Sequence, residues 1–226
     1  MRENLEHVST GKEKIAVEIV AGLLLIILMN YLIITNIVDI ILLGAFSFRF
    51  SAGCHTEQFV ITKENRIDMQ KGFQCSAFST AYVLRHFDKE VDGGTLYSVM
   101  PHKMKSGYVY PKGVYDMLRS YGMKVKYCRG NLNALKVDLQ KGNPVIVMIR
   151  VQKDKDWLHY VPVVGFDEEH VFLAESLSEL INCKNVLYNR RLRNEEFMQL
   201  WNTAMLKQPF YKNTYFVAKS KSETAL

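Results

Sequence analysis

Between Ile19 and Thr35 the chain carries no charged residue, and Leu, Ile, Val and Ala dominate the wider run from Ile15 to Phe48. A helix needs about 20 apolar residues to cross the hydrocarbon core of a bilayer. This run is long enough to span once and too short to span twice. It also exceeds the apolar region of a cleaved signal peptide, which is usually about 7–15 residues. As a core helix it would need cover on every side. The expected layout is a polar tail over 1–14, a transmembrane helix over 15–48, a stalk over 49–62, a globular domain over 63–220 and a polar tail over 221–226. Arg2, Lys12 and Lys14 precede the apolar run, whereas Arg49 and Lys63 follow it. Positive residues favour the cytoplasm, so the expected location is the cell membrane, single-pass, with the domain extracytoplasmic.

The remainder has the composition of a folded domain. Across 226 residues, 48% are hydrophobic and 23% charged, which excludes a disordered chain. The net charge of +6 is spread along the sequence rather than massed, so no nucleic-acid surface is expected. No Gly-rich phosphate loop and no internal repeat occurs. Cys54, Cys75, Cys128 and Cys183 are too scattered for a zinc-ligand pattern and too few for a disulfide scaffold. The chain is expected to need neither a metal nor an organic cofactor.

Periodicity places helices first and strands later. Phe78, Ala81, Tyr82 and Phe87 recur at helical steps after Cys75. Thr95 is a candidate cap for a short helix through Met100, Gly113 to Tyr121 reads as helix stopped by Gly122, and Asn131 to Lys141 as helix stopped by Gly142. Strands are expected at Lys124–Cys128, Val145–Val151, His159–Phe166, Val171–Ala174, Asn185–Tyr188 and Thr214–Ala218, with Asn194 capping a helix that uses Phe197, Leu200, Trp201 and Ala204. Helices followed by a largely antiparallel sheet define an α+β fold.

Cys75 stands where a loop turns into a helix, with Gln70 and Gln74 just upstream. Backbone N–H groups in a first helical turn lack intrahelical partners, and the positive end of the dipole favours thiolate, the nucleophilic form. His159 opens a later strand, and Glu175 ends the next one. A thiol enzyme needs a base for the thiol proton, a third group to orient that base, and donors for an oxyanion. Cys75, His159, Glu175 and a glutamine are the residues available for these roles.

At these positions the chain resembles the papain-like cysteine peptidases, particularly the branch related to double-glycine-leader (bacteriocin-processing) peptidases. The resemblance covers roughly Lys63 to Ser220. It rests on Gln70-x4-Cys75-Ser-Ala-Phe-Ser, on Lys141-Gly-Asn-Pro-Val-Ile-Val, on His159-Tyr-Val-Pro-Val-Val-Gly with Val171-Phe-Leu-Ala-Glu175-Ser, and on Glu196-Phe-Met-Gln-Leu-Trp201. It implies a papain-like fold, attack by Cys75, acid/base work by His159, an orienting residue at Glu175, and an oxyanion glutamine at Gln70, with Gln74 the alternative. Ser76 stands where many relatives have glycine, and Glu175-Ser176 where the branch usually has Asp followed by Pro.

Strand parity tests the carboxylate without reference to any family. If Phe166 opposes His170, Glu175 comes opposite Val161, diagonal to His159 on the same face. If Phe166 opposes Val171, Glu175 turns away unless a bulge intervenes. The expected function is a membrane-anchored cysteine peptidase hydrolysing peptide bonds of a peptide or protein substrate through a thioester acyl-enzyme. The alternatives are a thiol-dependent acyltransferase or cell-wall amidase, and an inactive papain-like binding domain at the membrane.

Overall fold

The computed structural model describes residues 2–42, 46–54, 56–205 and 211–220. His55 and the expected tail over 221–226 lie outside them. Helix α1 runs Arg2–Leu42, so the polar N-terminal stretch joins the same helix as the apolar run. Its segment Lys14–Ile34 is long and apolar enough to cross a membrane, and none of it is buried by the rest of the chain. At 1.5 Å per residue, those 21 residues reach about 31 Å, close to the hydrocarbon thickness. Within it the Asn30 amide donates to the Ile26 carbonyl at 2.8 Å, which lowers the cost of a polar group in an apolar setting.

Two expected boundaries are corrected. The helix over 15–48 ends at Leu42, and Phe46–Arg49 forms strand β1. A short apolar run does not distinguish helix from strand by periodicity alone, and here tertiary partners decide. The Phe46 ring packs edge-on against Tyr127, and Arg49 donates to the buried Asp138 carboxylate at 2.8 Å. Nor is 49–62 a free stalk. The Asn131 side chain accepts from Ser51 N–H and donates to the Ser51 carbonyl, and Asn133 donates to the Ala52 carbonyl. Phe59–Val60 form strand β2 and Ile61 is buried.

The remaining elements are α2 (Cys75–His86), α3 (Gly93–Val99), α4 (Pro111–Ser120), β3 (Lys124–Gly130), α5 (Leu132–Leu139), β4 (Val145–Arg150), β5 (Leu158–Phe166), β6 (His170–Leu173), β7 (Arg190–Arg193), α6 (Asn194–Trp201) and β8 (Thr214–Lys219). One sheet runs in the order β1-β3-β8-β4-β5-β6-β7, with β2 also paired to β5. β1 and β3 are parallel; the other pairs are antiparallel. The mixed fold with its C-terminal antiparallel sheet is the one expected.

Strand parity builds a core on each face. Ile146, Met148, Tyr160 and Phe216 turn toward α2 and α4, while Val145, Val147, Ile149, Val161 and Tyr215 turn toward α5 and α6. Covered on both faces, β4 and β5 read as continuous apolar runs rather than alternating ones. Gly122 and Gly142 stop helices as expected, each with a left-handed φ (80° and 85°). Asn131 caps α5 by accepting from Ala134 N–H at 2.9 Å.

Three local expectations fail. Asp92, not Thr95, caps α3, accepting the Thr95 N–H at 2.9 Å, since a carboxylate is the stronger acceptor for a first-turn amide. Asn194 is the first residue of α6, and its amide donates to the Glu168 carbonyl instead. The segment 185–188 is not a strand; the strand beside β6 is Arg190–Arg193.

Candidate active site

Cys75 is the first residue of α2, after Gln74, whose side chain makes no cap bond. The N–H groups of Cys75 and Ser76 therefore stand at a helix start without intrahelical acceptors. Ten of the twelve residues of α2 are buried, so the helix is packed all round rather than on one stripe. Its position against the sheet is fixed by Ser79, whose hydroxyl donates to the Tyr160 carbonyl at 2.8 Å. That bond lands one residue past His159.

His159 is the second residue of β5, at the rim of the sheet. Its Nε2 lies 2.7 Å from Glu175 Oε1, and the two side chains are 1% and 0% exposed. A carboxylate only accepts, so Nε2 carries the hydrogen and Nδ1 is left for another partner. The Cys75 thiol is within hydrogen-bonding reach of the same ring. The structure thus brings together Cys75 from α2, His159 from β5 and Glu175 from the loop just after β6.

The register that permits this contains a bulge. Phe166 opposes Val171 and Gly165 opposes Phe172, the pairing that would turn Glu175 to the wrong face. The ladder then shifts, so that Val163 opposes Leu173, and Val164 is the extra residue. Ala174 N–H donates to the Pro162 carbonyl at 3.0 Å. Continued one step, this register sets Glu175 opposite Val161, diagonal to His159. The bulge is the device that aims the carboxylate.

Beside the bulge, Gly165 has no room for a side chain. A Cβ there would stand 2.7 Å from the Phe59 carbonyl oxygen of β2.

The electrostatics of the pair are mutual. Burial pulls the His159 pKa down, but the Glu175 charge and the Cys75 sulfur outweigh it and hold it raised, to about 10. Burial pushes Glu175 up, but His159, Arg190 and the Leu177 N–H outweigh it and bring it down to about 2. Both groups are stabilised in their charged forms at neutral pH. Tyr108 is raised, first by burial and then by the nearby Cys75 sulfur.

Gln70 is tied to the loop after Glu175. Its N–H donates to the Ser176 carbonyl at 2.9 Å, and its Oε1 accepts from the Ser176 hydroxyl at 2.7 Å. Its Nε2 donates to the Gly72 carbonyl at 2.6 Å, which uses one of two amide hydrogens. Gln74 has only a long contact at Oε1, from Lys71 N–H at 3.4 Å. Trp157, two residues before His159, is 62% exposed and lines an apolar cavity of about 250 Å³ with Met104, Tyr108, Met148, Leu158 and Tyr160.

The sequence reading did not single out Arg190 and Asn189. Arg190 Nη1 donates to Glu175 Oε2 at 2.8 Å. Asn189 accepts from Glu175 N–H at 2.7 Å and donates to its carbonyl at 2.9 Å. The one available signal was the alternation in Arg190-Arg-Leu-Arg193, which places Arg190 and Leu192 inward.

Residues 61–206 match the model of the Peptidase_C39 like family. No curated protein matches the chain. Among solved structures, a C39-like peptidase from Bacillus anthracis is 20% identical with a TM-score of 0.55, covering 74% of this chain and 100% of its own. The peptidase domain of Streptococcus ComA, a bi-functional ABC transporter involved in a quorum-sensing pathway, is 13% identical with a TM-score of 0.53, covering 70% of this chain and 99% of its own. At these identities the likeness is one of fold.

Proposed function

The chain belongs to the Peptidase_C39 like family, and on that premise we propose that it is a membrane-anchored cysteine peptidase in which Cys75 is the nucleophile, His159 the acid/base and Glu175 the orienting carboxylate. One observation carries the reading: a buried imidazole bonded through Nε2 to Glu175, with the Cys75 thiol within reach of the same ring. In the resting pair Cys75 has already given its proton to Nδ1 of His159, in keeping with an imidazolium held charged at neutral pH, and the sulfur attacks the scissile carbonyl carbon as thiolate. The carbonyl oxygen takes up negative charge and is met by the Cys75 N–H and the second amide hydrogen of Gln70. Collapse breaks the C–N bond, the imidazolium gives its proton to the leaving amine, and a thioester remains on Cys75. Water then loses a proton to His159 and attacks the thioester, and the thiolate leaves, which restores the thiolate–imidazolium pair. The raised imidazolium pKa suits the first transfer, because it keeps the proton beside the sulfur until an amine departs.

The Lys14–Ile34 segment supports the anchor, and the preceding Arg2, Lys12 and Lys14 support a domain on the outer side. The substrate is then a peptide or protein presented at that membrane face.

Iodoacetamide added to the full chain in detergent micelles tests the site, followed by peptide mapping. Alkylation concentrated at Cys75 is expected, since Cys128 is fully buried and its thiol is pushed up to about 12 by burial. Modification confined to Cys54 and Cys183 would overturn the assignment.

A further inference from the structure

The Glu175 carboxylate is divided between two partners. Oε1 faces His159 Nε2 and accepts from the Leu177 N–H at 2.8 Å. Oε2 accepts from Arg190 Nη1, also at 2.8 Å. Arg190 is itself buried, on the inward side of β7, while its neighbours Arg191 and Arg193 turn to solvent. Asn189, the preceding residue, holds the Glu175 backbone at both its N–H and its carbonyl. The start of β7 thus clasps Glu175 by main chain and side chain together.

A buried ion pair is weak evidence for stability, because desolvation offsets the attraction, and an apolar residue of similar size would pack as well. What only a cation can supply at position 190 is a fixed direction for Oε2 and a share of the carboxylate's charge. Direction matters more for glutamate than for aspartate, since glutamate has one more rotatable bond between backbone and carboxylate. With Oε2 on Arg190 and Oε1 on the Leu177 N–H, the carboxylate plane is set, and a lone pair of Oε1 points at the ring.

We propose that Arg190 is a positioning residue for the cysteine-peptidase reaction, acting through Glu175 to fix the His159 ring and to temper the carboxylate's hold on the imidazolium proton. It makes no contact with the sulfur or the substrate. The inference rests on the reading of Cys75 and His159 as nucleophile and base. The groups facing Glu175 are His159 from β5, Arg190 from β7 and the Leu177 N–H from its own loop, with Cys75 of α2 beyond the ring. Arg190 is among the groups that hold Glu175 in its charged form.

Removing a fixed positive charge makes every proton of the Cys75, His159 and Glu175 set harder to lose. The rate of Cys75 alkylation by iodoacetamide, followed against pH on the full chain in micelles, reports this without knowledge of the substrate. In Arg190→Gln the whole profile is expected to move upward by about one pH unit, with the maximal rate several-fold lower. In Arg190→Lys, which keeps the charge on a point donor, the profile stays where the wild type has it. A merely structural role would lower the melting temperature of both variants and leave both profiles in place. An unshifted Arg190→Gln profile, or an equal shift in Arg190→Lys, overturns the inference. If Arg190→Gln does not fold, Arg190→Met takes its place, since an apolar residue of similar size packs there: an upward shift in Arg190→Met with none in Arg190→Lys supports the role, and an unshifted Arg190→Met profile sinks it. A wild type whose Cys75 is not alkylated at any pH fails the underlying reading instead, so the two failures are distinct.

Discussion

Ser176 meets Gln70 twice, its carbonyl accepting the Gln70 N–H at 2.9 Å and its hydroxyl donating to Gln70 Oε1 at 2.7 Å. The departure from the usual Asp-Pro pair therefore has a physical use. A proline at 176 would keep the carbonyl but remove the hydroxyl that orients the amide oxygen and so aims the amide hydrogens. Gln70→Ala is expected to lower kcat by about 10²–10³-fold, the usual effect of deleting an oxyanion donor. Ser176→Ala removes one neutral hydrogen bond, worth about 1 kcal/mol, and is expected to lower kcat about fivefold. Gln74→Ala should sit near the wild type. Steady-state rates on any peptide that the wild type hydrolyses will order the three, and a larger loss in Gln74→Ala would transfer the oxyanion role to that residue.

Deleting Val164 would remove the bulge without moving the carboxylate: with one residue fewer, Val163 still falls opposite Leu173, and Glu175 opposite Val161. The expected result is retained Cys75 alkylation with a lowered urea midpoint, since a buried valine is lost. Gly165→Ala tests the close approach of β2. Its Cβ would meet the Phe59 carbonyl at 2.7 Å and Val60 Cα at 3.0 Å, both backbone atoms. A destabilisation of about 1–3 kcal/mol is expected, measured by urea titration.

The bulge also marks how far sequence alone reaches. Cys75, His159 and Glu175 were legible because each ends or begins an element whose type is plain from its pattern. Strand parity requires a bulge in one of two registers, but it does not fix which register occurs. That choice depends on Gly165 letting β2 approach closely, a contact across more than a hundred residues of chain. Arg190 was not legible for the same kind of reason. Four residues, Arg190-Arg-Leu-Arg193, offer three equivalent arginines until the sheet decides which one faces inward. The sequence pattern extends the membrane helix to Phe48 and leaves Arg49 in a stalk because the partners of this strand, Tyr127 and Asp138, lie far along the chain.

Those partners predict where the domain can be cut. A chain beginning at Phe46 keeps β1, the Arg49–Asp138 pair and β2, and is expected to be soluble and folded. A chain beginning at Lys63 loses all three, together with buried Ile61. It leaves Asp138 with Lys141 and Tyr215 as its remaining partners. Removing one partner of a buried carboxylate and exposing the core beneath β2 should cost about 3–5 kcal/mol. Differential scanning calorimetry of the two chains will show this as a lower melting temperature for the shorter one. Equal melting temperatures would return 49–62 to the role of a stalk.

The charge pair at the site predicts an alkaline decline in stability that belongs to one residue. His159 is raised from its ordinary 6.5 to about 10, so its contribution is fully present below pH 6.5 and is lost as the pH rises toward 10. Glu175 is lowered from 4.5 to about 2, so its contribution is present above pH 4.5 and is lost as the pH falls toward 2. The acid decline is shared with Asp138, which burial pushes up but Lys141 and Arg49 bring down overall, and is not diagnostic. His86, lowered by burial and Lys63, gains its contribution as the pH rises, and that contribution is complete above its ordinary 6.5. Between pH 7 and 8, below the ordinary 9 at which the raised Cys128 and Cys183 thiols begin to add to the decline, the slope therefore reports His159. Urea midpoints are expected to fall across that interval in the wild type and to flatten in His159→Gln. In Glu175→Gln the slope should shrink too, since the ring has lost its main anionic neighbour, while Arg190 is left buried without a counter-charge and the midpoint falls at every pH. A wild-type midpoint that rises from pH 7 to 8, or a His159→Gln variant with an undiminished slope, would show that the imidazole is not held charged by the carboxylate.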